Sequence, residues 1–328
     1  MSIPMSPPAA SAPLSVRYEQ AAATALLAQA DVMAVIGFGA ASMGVDDPRL
    51  LRVGLQPLAG NAFEVWRGAA PVAHGRDGEL RWSSDGEHLF FAIELDEDAH
   101  GGVRGAAEHA YAHACAFVAS TPTPHLLRLW NYLDAINLGD GDDERYRRFC
   151  EGRARGMARH LLAPPYPAAT AIGRHDGVRV LQVYGLAAAT PGTPVENPRQ
   201  VSAWRYPREY GPTAPTFARG MRSADGALLI SGTAAVVGHA SRHPGDLDAQ
   251  LDETIANLGS LLAQAGAPAR FDARSMLKAY VRDAADGTRV AALLRARLPA
   301  LGGLLVLAGD VCRRELLVEV DGIAPLAG

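Results

Sequence analysis

Lysine is almost missing from this chain of 328 residues: of its 31 basic side chains, one is a lysine, Lys278. No GxxxxGK[ST] phosphate loop can therefore be present, and Schiff-base chemistry would rest on a single amine. Cysteine is also scarce. Cys115, Cys150 and Cys312 stand far apart without a CxxC pair, which excludes a disulfide framework and a zinc knuckle and suits a reducing compartment. Positive charge is not in excess, since the formal net charge is −4, and no global basic field calls for nucleic acid or an anionic membrane. There is no GxGxxG after a strand, no GxSxG elbow and no HExxH. Residues Met1–Pro13 lack the basic and apolar regions of a signal peptide, so a disordered lead-in and a cytoplasmic protein are expected.

What is present is a globular composition. Hydrophobic residues make up 48% of the chain and charged residues 20%, enough for a sizeable core in one large or two ordinary domains. Arginine takes the place of lysine. Its rigid fork of donors matches carboxylates better than a point charge does, so a small anionic ligand would be held by arginine.

Two stretches read alike. Residues 83–96 give an Asp-Gly turn followed by an apolar strand, and residues 223–237 do the same 140 positions later. A helical segment follows each: alanine-rich Gly102–Val118, and Asp246–Ala265 with Leu247, Leu251, Ile255, Leu258 and Leu262 on one face. Then come an apolar strand (Leu126–Ile136; Met276–Arg282) and an arginine-studded helix (Asp143–Leu162; Gly287–Leu298). The shared order predicts two copies of a βαβ-type unit. Only the second copy is expected to close with two further strands, Leu304–Ala308 and Leu316–Val320. The proline-rich stretch 164–215, with a strand at Val178–Tyr184, reads as a connection of functional character. Its segment Glu196–Tyr210 packs three arginines and three aromatics into fifteen positions.

Few residues single themselves out for chemistry. His109 and His113 lie one helical turn apart and could bind a metal, but no third ligand is spaced to join them, which favours a solvated pair. His239 and His243 flank a loop, where turn-capping and ligand contact are equally open. Alternation along Arg314–Asp321 puts Glu315, Leu317, Glu319 and Asp321 on one face. If that strand is interior, Glu319 is desolvated and its pKa rises toward the range of a proton donor at neutral pH. If it is a surface strand, Glu319 is an ordinary solvated carboxylate. Tyr146 and Arg153 are two helical turns apart, so one helix can present both to one spot. A lone Cys312 reads as a small core residue or a reactive one.

Residues Ile230-Ser-Gly-Thr, Pro244-Gly-Asp-Leu-Asp-Ala-Gln250, Gln264-Ala-Gly-Ala267 and Leu317-Val-Glu-Val-Asp-Gly-Ile-Ala324 resemble the RidA/YjgF fold. That resemblance implies an α+β architecture similar to AroH-type chorismate mutases, a sheet with helices packed on one face. Over most of its length the chain is similar to the chorismatases. The motifs are Trp130-Asn-Tyr132, Glu144-Arg-Tyr-x-x-Phe-Cys-x-Gly-Arg153, Glu196-Asn-Pro-Arg-Gln-Val-Ser-Ala203, Tyr210-Gly-Pro212, Phe217-Ala-Arg219 and Cys312-Arg-x-Glu-Leu-Leu-Val-Glu319. The family implies two domains, a degenerate one over 1–165 and a catalytic one over 166–328. It implies cleavage of chorismate to pyruvate and a cyclic carboxylic acid, without metal or organic cofactor, nucleic acid or membrane.

By the same resemblance Glu319 is the acid that protonates the enolpyruvyl methylene, and Cys312 marks members that form hydroxybenzoates rather than a diol. Ala235, within Gly232–Ala235, matches a second product-shaping position. A chain of charge −4 needs local arginines to hold a substrate with two carboxylates, and Arg153, Arg205 and Arg219 with Tyr146, Tyr210 and Thr233 are the candidate contacts. The likeness points to synthases of 3- and 4-hydroxybenzoate such as those of xanthomonad pigment and quinone pathways. Two other readings are an imine deaminase of the RidA type and a non-catalytic binding module. The deaminases carry an arginine before the final hairpin, and none occurs from Leu298 to Val311.

Overall fold

The computed structural model describes residues 14–39, 44–60, 63–161, 163–268 and 270–326. The expected lead-in Met1–Pro13 lies outside them. Among the described residues no helix is long and apolar enough to cross a membrane.

The first repeated unit runs β1 (Ala73–Asp77), β2 (Leu80–Ser84), β3 (His88–Asp96), α1 (Gly102–Ala119), β4 (His125–Asp134), α2 (Arg145–Met157), β5 (Ala168–Arg174) and β6 (Val180–Ala188). Its sheet has the order β5-β4-β6-β3-β2-β1. The second runs β7 (Thr193–Val195), β8 (Gly220–Arg222), β9 (Ala227–Ala234), α3 (Leu247–Gln264), β10 (Met276–Val281), α4 (Gly287–Arg297), β11 (Gly303–Ala308) and β12 (Val318–Pro325). Its sheet is ordered β7-β8-β9-β12-β10-β11, with Pro57–Ala59 added at the β11 edge.

Laid over one another, β2-β3-β6-β4-β5 and β8-β9-β12-β10-β11 have the same order. They also share the same directions, every pair antiparallel except the last. The duplication expected from the Asp-Gly turns is thus present in the topology. The first copy, however, closes with two strands just as the second does. β5 and β6 lie in the stretch assigned above to a connection, so the division expected at 165/166 cuts through the first sheet. The flanking prolines, Pro164, Pro165 and Pro191, punctuate the strands' ends and disguise them.

Local sequence accounts for the elements. Helix α3 begins where Asp246 Oδ1 accepts a hydrogen bond from the Ala249 amide at 3.0 Å, a cap worth about 1 kcal/mol. Its leucines bury Leu251, Leu258, Leu261 and Leu262 against Ile230, Leu277, Val318 and Val320 of the sheet. In the first unit, alanines 106, 107, 110 and 114 let α1 lie close on Phe91, Ile93 and Leu129. Each sheet therefore carries its helices on one face. The helix-free faces, with Trp130, Tyr132 and Tyr184 from one unit and Met276, Tyr280 and Ile323 from the other, meet in a single core.

Residues Ser15–Arg67 form a further sheet, outside both expected units, in the order Ser15–Glu19, Phe63–Arg67, Val32–Phe38, Leu50–Val53. It adds Met33, Ile36 and Trp66 to that same core. At the centre lies a cluster of buried charge. Lys278 Nζ is 2.6 Å from Glu64 and 4.0 Å from Asp321, and Arg128 donates to Asp321 at 3.0 Å. Thr170 and Tyr280 donate to the same Asp321 oxygen at 2.9 and 3.1 Å. Two cations balance two carboxylates, which is how buried charge becomes tolerable. Burial alone would lower the pKa of Lys278, but Glu64 overrides it and holds the amine as an ammonium. That excludes the lone lysine from imine chemistry.

Candidate active site

Where the two units abut, they enclose a cavity of about 470 Å³, within the range of small-molecule sites. Helix α2 contributes Tyr146, Phe149, Cys150 and Arg153, and β5 contributes Ala169, Thr170 and Ala171. The second unit supplies Gly232 and Ala234 of β9 and Glu319 of β12. Gln200, Tyr206, Tyr210, Phe217 and Arg219 cover it from the segment between β7 and β8, and Cys312–Leu316 close one side. The covering segment is held down: Asn197 donates to the Asn257 carbonyl at 2.9 Å, and the Val201 amide to Gly238 at 2.8 Å. Ser231 joins the units by accepting from the Ala169 amide at 2.9 Å and donating to Ala218 at 2.6 Å.

Alternation along β12 decides the state of Glu319. Val318 and Val320 point to the helices, which turns Glu319 and Asp321 into the space between the sheets. Glu319 is 5% exposed. Of the two readings left open above, the desolvated carboxyl is the one observed. Its pKa is pushed up to about 8, chiefly by burial and then by the charge of Asp321, against the pull of Arg128, Arg219 and Arg313. At neutral pH it carries its proton and can donate it. Room for the carboxyl comes from Gly232: a Cβ there would lie 2.0 Å from Glu319 Oε1.

Around the acid stand neutral sulfur and phenol groups. Burial, then Glu319, pushes the Cys312 thiol up to about 12, and burial takes Cys150 to the same range. The phenol of Tyr146, beside both thiols, is held well above its ordinary value by burial first. At neutral pH none of the three is an anion, so Cys312 meets a ligand as a small neutral side chain.

Guanidinium groups supply the positive charge. Arg219, 5% exposed, donates to the Val201 carbonyl at 2.8 Å and to the Tyr206 hydroxyl at 2.5 Å. Among the described residues its buried Nε has no hydrogen-bond partner, an open donor beside the cavity. Arg153 donates to the Thr216 carbonyl at 2.9 Å and lies 5.1 Å from the Tyr111 ring centroid. Arg313 stacks on Tyr210 at 3.9 Å and Tyr206 at 5.1 Å.

Six of the expected residues therefore line one cavity: Glu319, Cys312, Tyr146, Arg153, Tyr210 and Arg219. Three do not. Arg205 ends a short helical turn, Ala203–Arg205, and is exposed; the next residue, Tyr206, lines the cavity in its place. A register irregularity between Ile230 and Thr233 sets which residues of β9 face the cavity, and these are Gly232 and Ala234. Thr233 is turned back to donate to the Ser231 carbonyl at 2.9 Å, and Ala235 packs with Val311 and Leu316. Missed were Arg313, Tyr206 and Gly232. Arg313 adjoins Cys312 in sequence, which was the available signal.

The arrangement offers a protonated carboxyl at the floor, arginines on the wall, and Phe149, Phe217 and alanines between them. It suits a small anion with an apolar body that needs a proton at carbon or oxygen. Comparisons with known proteins agree with this chemistry. A family model described as chorismatase FkbO/Hyg5-like, N-terminal, matches residues 64–187. A 3-hydroxybenzoate synthase of Streptomyces hygroscopicus is 34% identical over 284 residues, covering 81% of this chain and 82% of that protein. A chorismatase of the same organism is 32% identical, covering 79% and 78%. A crystal structure of a chorismatase superposes with a TM-score of 0.85 at 30% identity, covering 96% of this chain and 99% of the other.

Proposed function

The chain belongs to the chorismatase family, enzymes that cleave chorismate, and from that premise we propose that its products are pyruvate and 3-hydroxybenzoate, with Glu319 as the proton donor. The observation that carries the reading is the neutral, buried carboxyl of Glu319 facing a cavity walled by arginine. Chorismate brings two carboxylates on a cyclohexadiene ring, and Arg219, Arg153 and Arg313 are the groups to hold them.

Glu319 protonates the enolpyruvyl methylene carbon. The ether becomes an oxocarbenium ion, a leaving group that departs as neutral-carbonyl pyruvate when the ring C–O bond breaks and its electron pair moves to oxygen. The neighbouring ring hydroxyl closes on the vacated carbon as an epoxide, losing its proton. Opening of that epoxide with loss of the ring hydrogen gives 3-hydroxybenzoate. Loss of the ring proton without epoxide closure gives 4-hydroxybenzoate from the same ion. Neither route consumes water, since pyruvate and hydroxybenzoate together account for every atom of chorismate. The neutral Cys312 thiol beside the acid acts as a steric wall that keeps water from the cation, which favours aromatic products over a diol.

The test is direct. Purified protein incubated with chorismate should release pyruvate and 3-hydroxybenzoate in equal amounts by chromatography. A mixture with 4-hydroxybenzoate would mean that both routes operate. Pyruvate with only the non-aromatic diol would overturn the role given to Cys312, and no pyruvate would overturn the assignment.

A further inference from the structure

On the edge of the first sheet farthest from the cavity, three metal-ligating side chains converge from three separate elements. We propose that Glu79, His100 and His109 form a binding site for a divalent transition-metal ion of the zinc or nickel kind, clipping the β1–β2 hairpin to helix α1.

The chain brings the three together by local geometry. β1 and β2 pair with Asp77 opposite Leu80, leaving Gly78-Glu79 as a two-residue turn. Gly78 has φ of 56°, the left-handed conformation such a turn demands. The turn holds Glu79 against the outer side of α1. A single helical turn, Asp98–His100, precedes α1, and Gly101 and Gly102 with φ of 73° and 86° reverse the chain into the helix. That reversal lays the His100 ring 4.9 Å from the ring of His109, centroid to centroid. His109 Nε2 stands 3.1 Å from Glu79 Oε2, and the three ligand atoms all lie within 4.8 Å of one another.

The ring of His100 is already oriented for ligation. Its Nδ1 lies 2.8 Å from the Asp96 carbonyl. A carbonyl only accepts, so Nδ1 carries the hydrogen and the lone pair is on Nε2, the tautomer and partner that metal-bound histidines share. Two imidazole nitrogens and one carboxylate oxygen form a borderline set. It suits zinc, nickel or copper(II), lacks the oxygen cage that calcium or magnesium requires, and leaves a coordination position for water. Glu79 and His109 are about half exposed, at 49% and 47%, so an ion reaches them without unfolding. The contact that joins them is exposed and weak. His113, one turn farther along α1, is engaged separately with Asp77 at 3.2 Å.

The helical spacing of His109 and His113 had suggested a solvated pair for want of a third ligand. His109 alone is joined by Glu79 and His100, 30 and 9 residues away in the chain. The link would matter mechanically, because β1 is an edge strand with mostly exposed residues and the clip would tie its hairpin to the helix behind it.

Zinc chloride titrated into the full-length protein by calorimetry should bind once. At a hundredfold excess over Kd the melting temperature should rise by about 4 °C. His109→Gln and, separately, Glu79→Gln should each weaken binding at least tenfold and cut the shift at the same zinc concentration to about 2 °C or less, with chorismate turnover unchanged. Should one variant fold poorly, the other keeps the test intact. Calcium chloride should give no shift. Failure of zinc to saturate at millimolar concentration would overturn the proposal, as would binding that survives both substitutions.

Discussion

Glu319→Gln tests the acid and its environment in one variant. In the folded protein the carboxyl has its pKa near 8, against 4.5 for an ordinary glutamate. Below pH 4.5 both folded and unfolded chains hold the proton, and the group costs nothing on ionisation. Between those values the unfolded chain releases a proton that the folded chain keeps, so the stability of the native state falls as pH rises. Above pH 8 both are ionised and the loss is complete. A gap of this size corresponds to about 5 kcal/mol, of which about 4 kcal/mol falls between pH 5 and pH 9. Glutamine cannot ionise. The stability difference between variant and parent, from denaturant unfolding at pH 5, 7 and 9, should therefore move in favour of the variant by about 4 kcal/mol across that range. Pyruvate release should vanish in the variant, and in the parent kcat/KM should fall about tenfold per pH unit above 8 as the acid is lost. Parallel stability curves for the two proteins would refute the burial of an ionisable carboxyl at this site. Retained turnover would refute its role.

Gly232→Ala should lower kcat about a hundredfold, since the new Cβ meets the Glu319 carboxyl and displaces the acid by an ångström or more; its melting temperature should stay near that of the parent, and a full-speed variant would remove Glu319 from the reaction. Arg219→Ala should raise KM by about ten- to a hundredfold, the worth of a charge-assisted hydrogen bond, and an unchanged KM would take Arg219 out of the carboxylate clamp. Cys312→Ala should alter the ratio of aromatic acid to diol in the product mixture with KM little moved, and an unaltered product pattern would leave the thiol without a steering role.

What the sequence conveyed of this fold was its periodic part. The Asp-Gly turns and the leucine stripe of α3 with its Asp246 cap are local signals, and they led to the duplicated unit; the valine alternation left the state of Glu319 open, and the motif likeness singled that residue out. The sheet of Ser15–Arg67 was hidden because its strands run only four to seven residues and one of its charged members, Glu64, finds its partner in Lys278 214 positions on. Direction within β9 was hidden for another reason. An irregularity of one residue exchanges the faces of a strand, and nothing in Ser231-Gly-Thr-Ala-Ala235 announces where it falls. The inward turn of Tyr206 and the stacking of Arg313 on the two tyrosines depend on how a proline-rich segment lies over the cavity. The motif likeness located that segment; its folding decided which arginines serve.

The position of Lys278 has a practical consequence. The chain's one lysine is 2% exposed, in the ion cluster between the sheets. Acetyl transfer, ubiquitin attachment and amine-reactive crosslinking at a lysine side chain all need that amine accessible, and the native surface offers no lysine amine. Acylation at position 278 becomes possible only when the shared core opens, which couples the label to global rather than local opening. The rate at which a peptide containing residue 278 gains an acyl mass is then a clock for unfolding. Read by mass spectrometry in crude extract, it would report the stability of the enzyme without purification or an added probe.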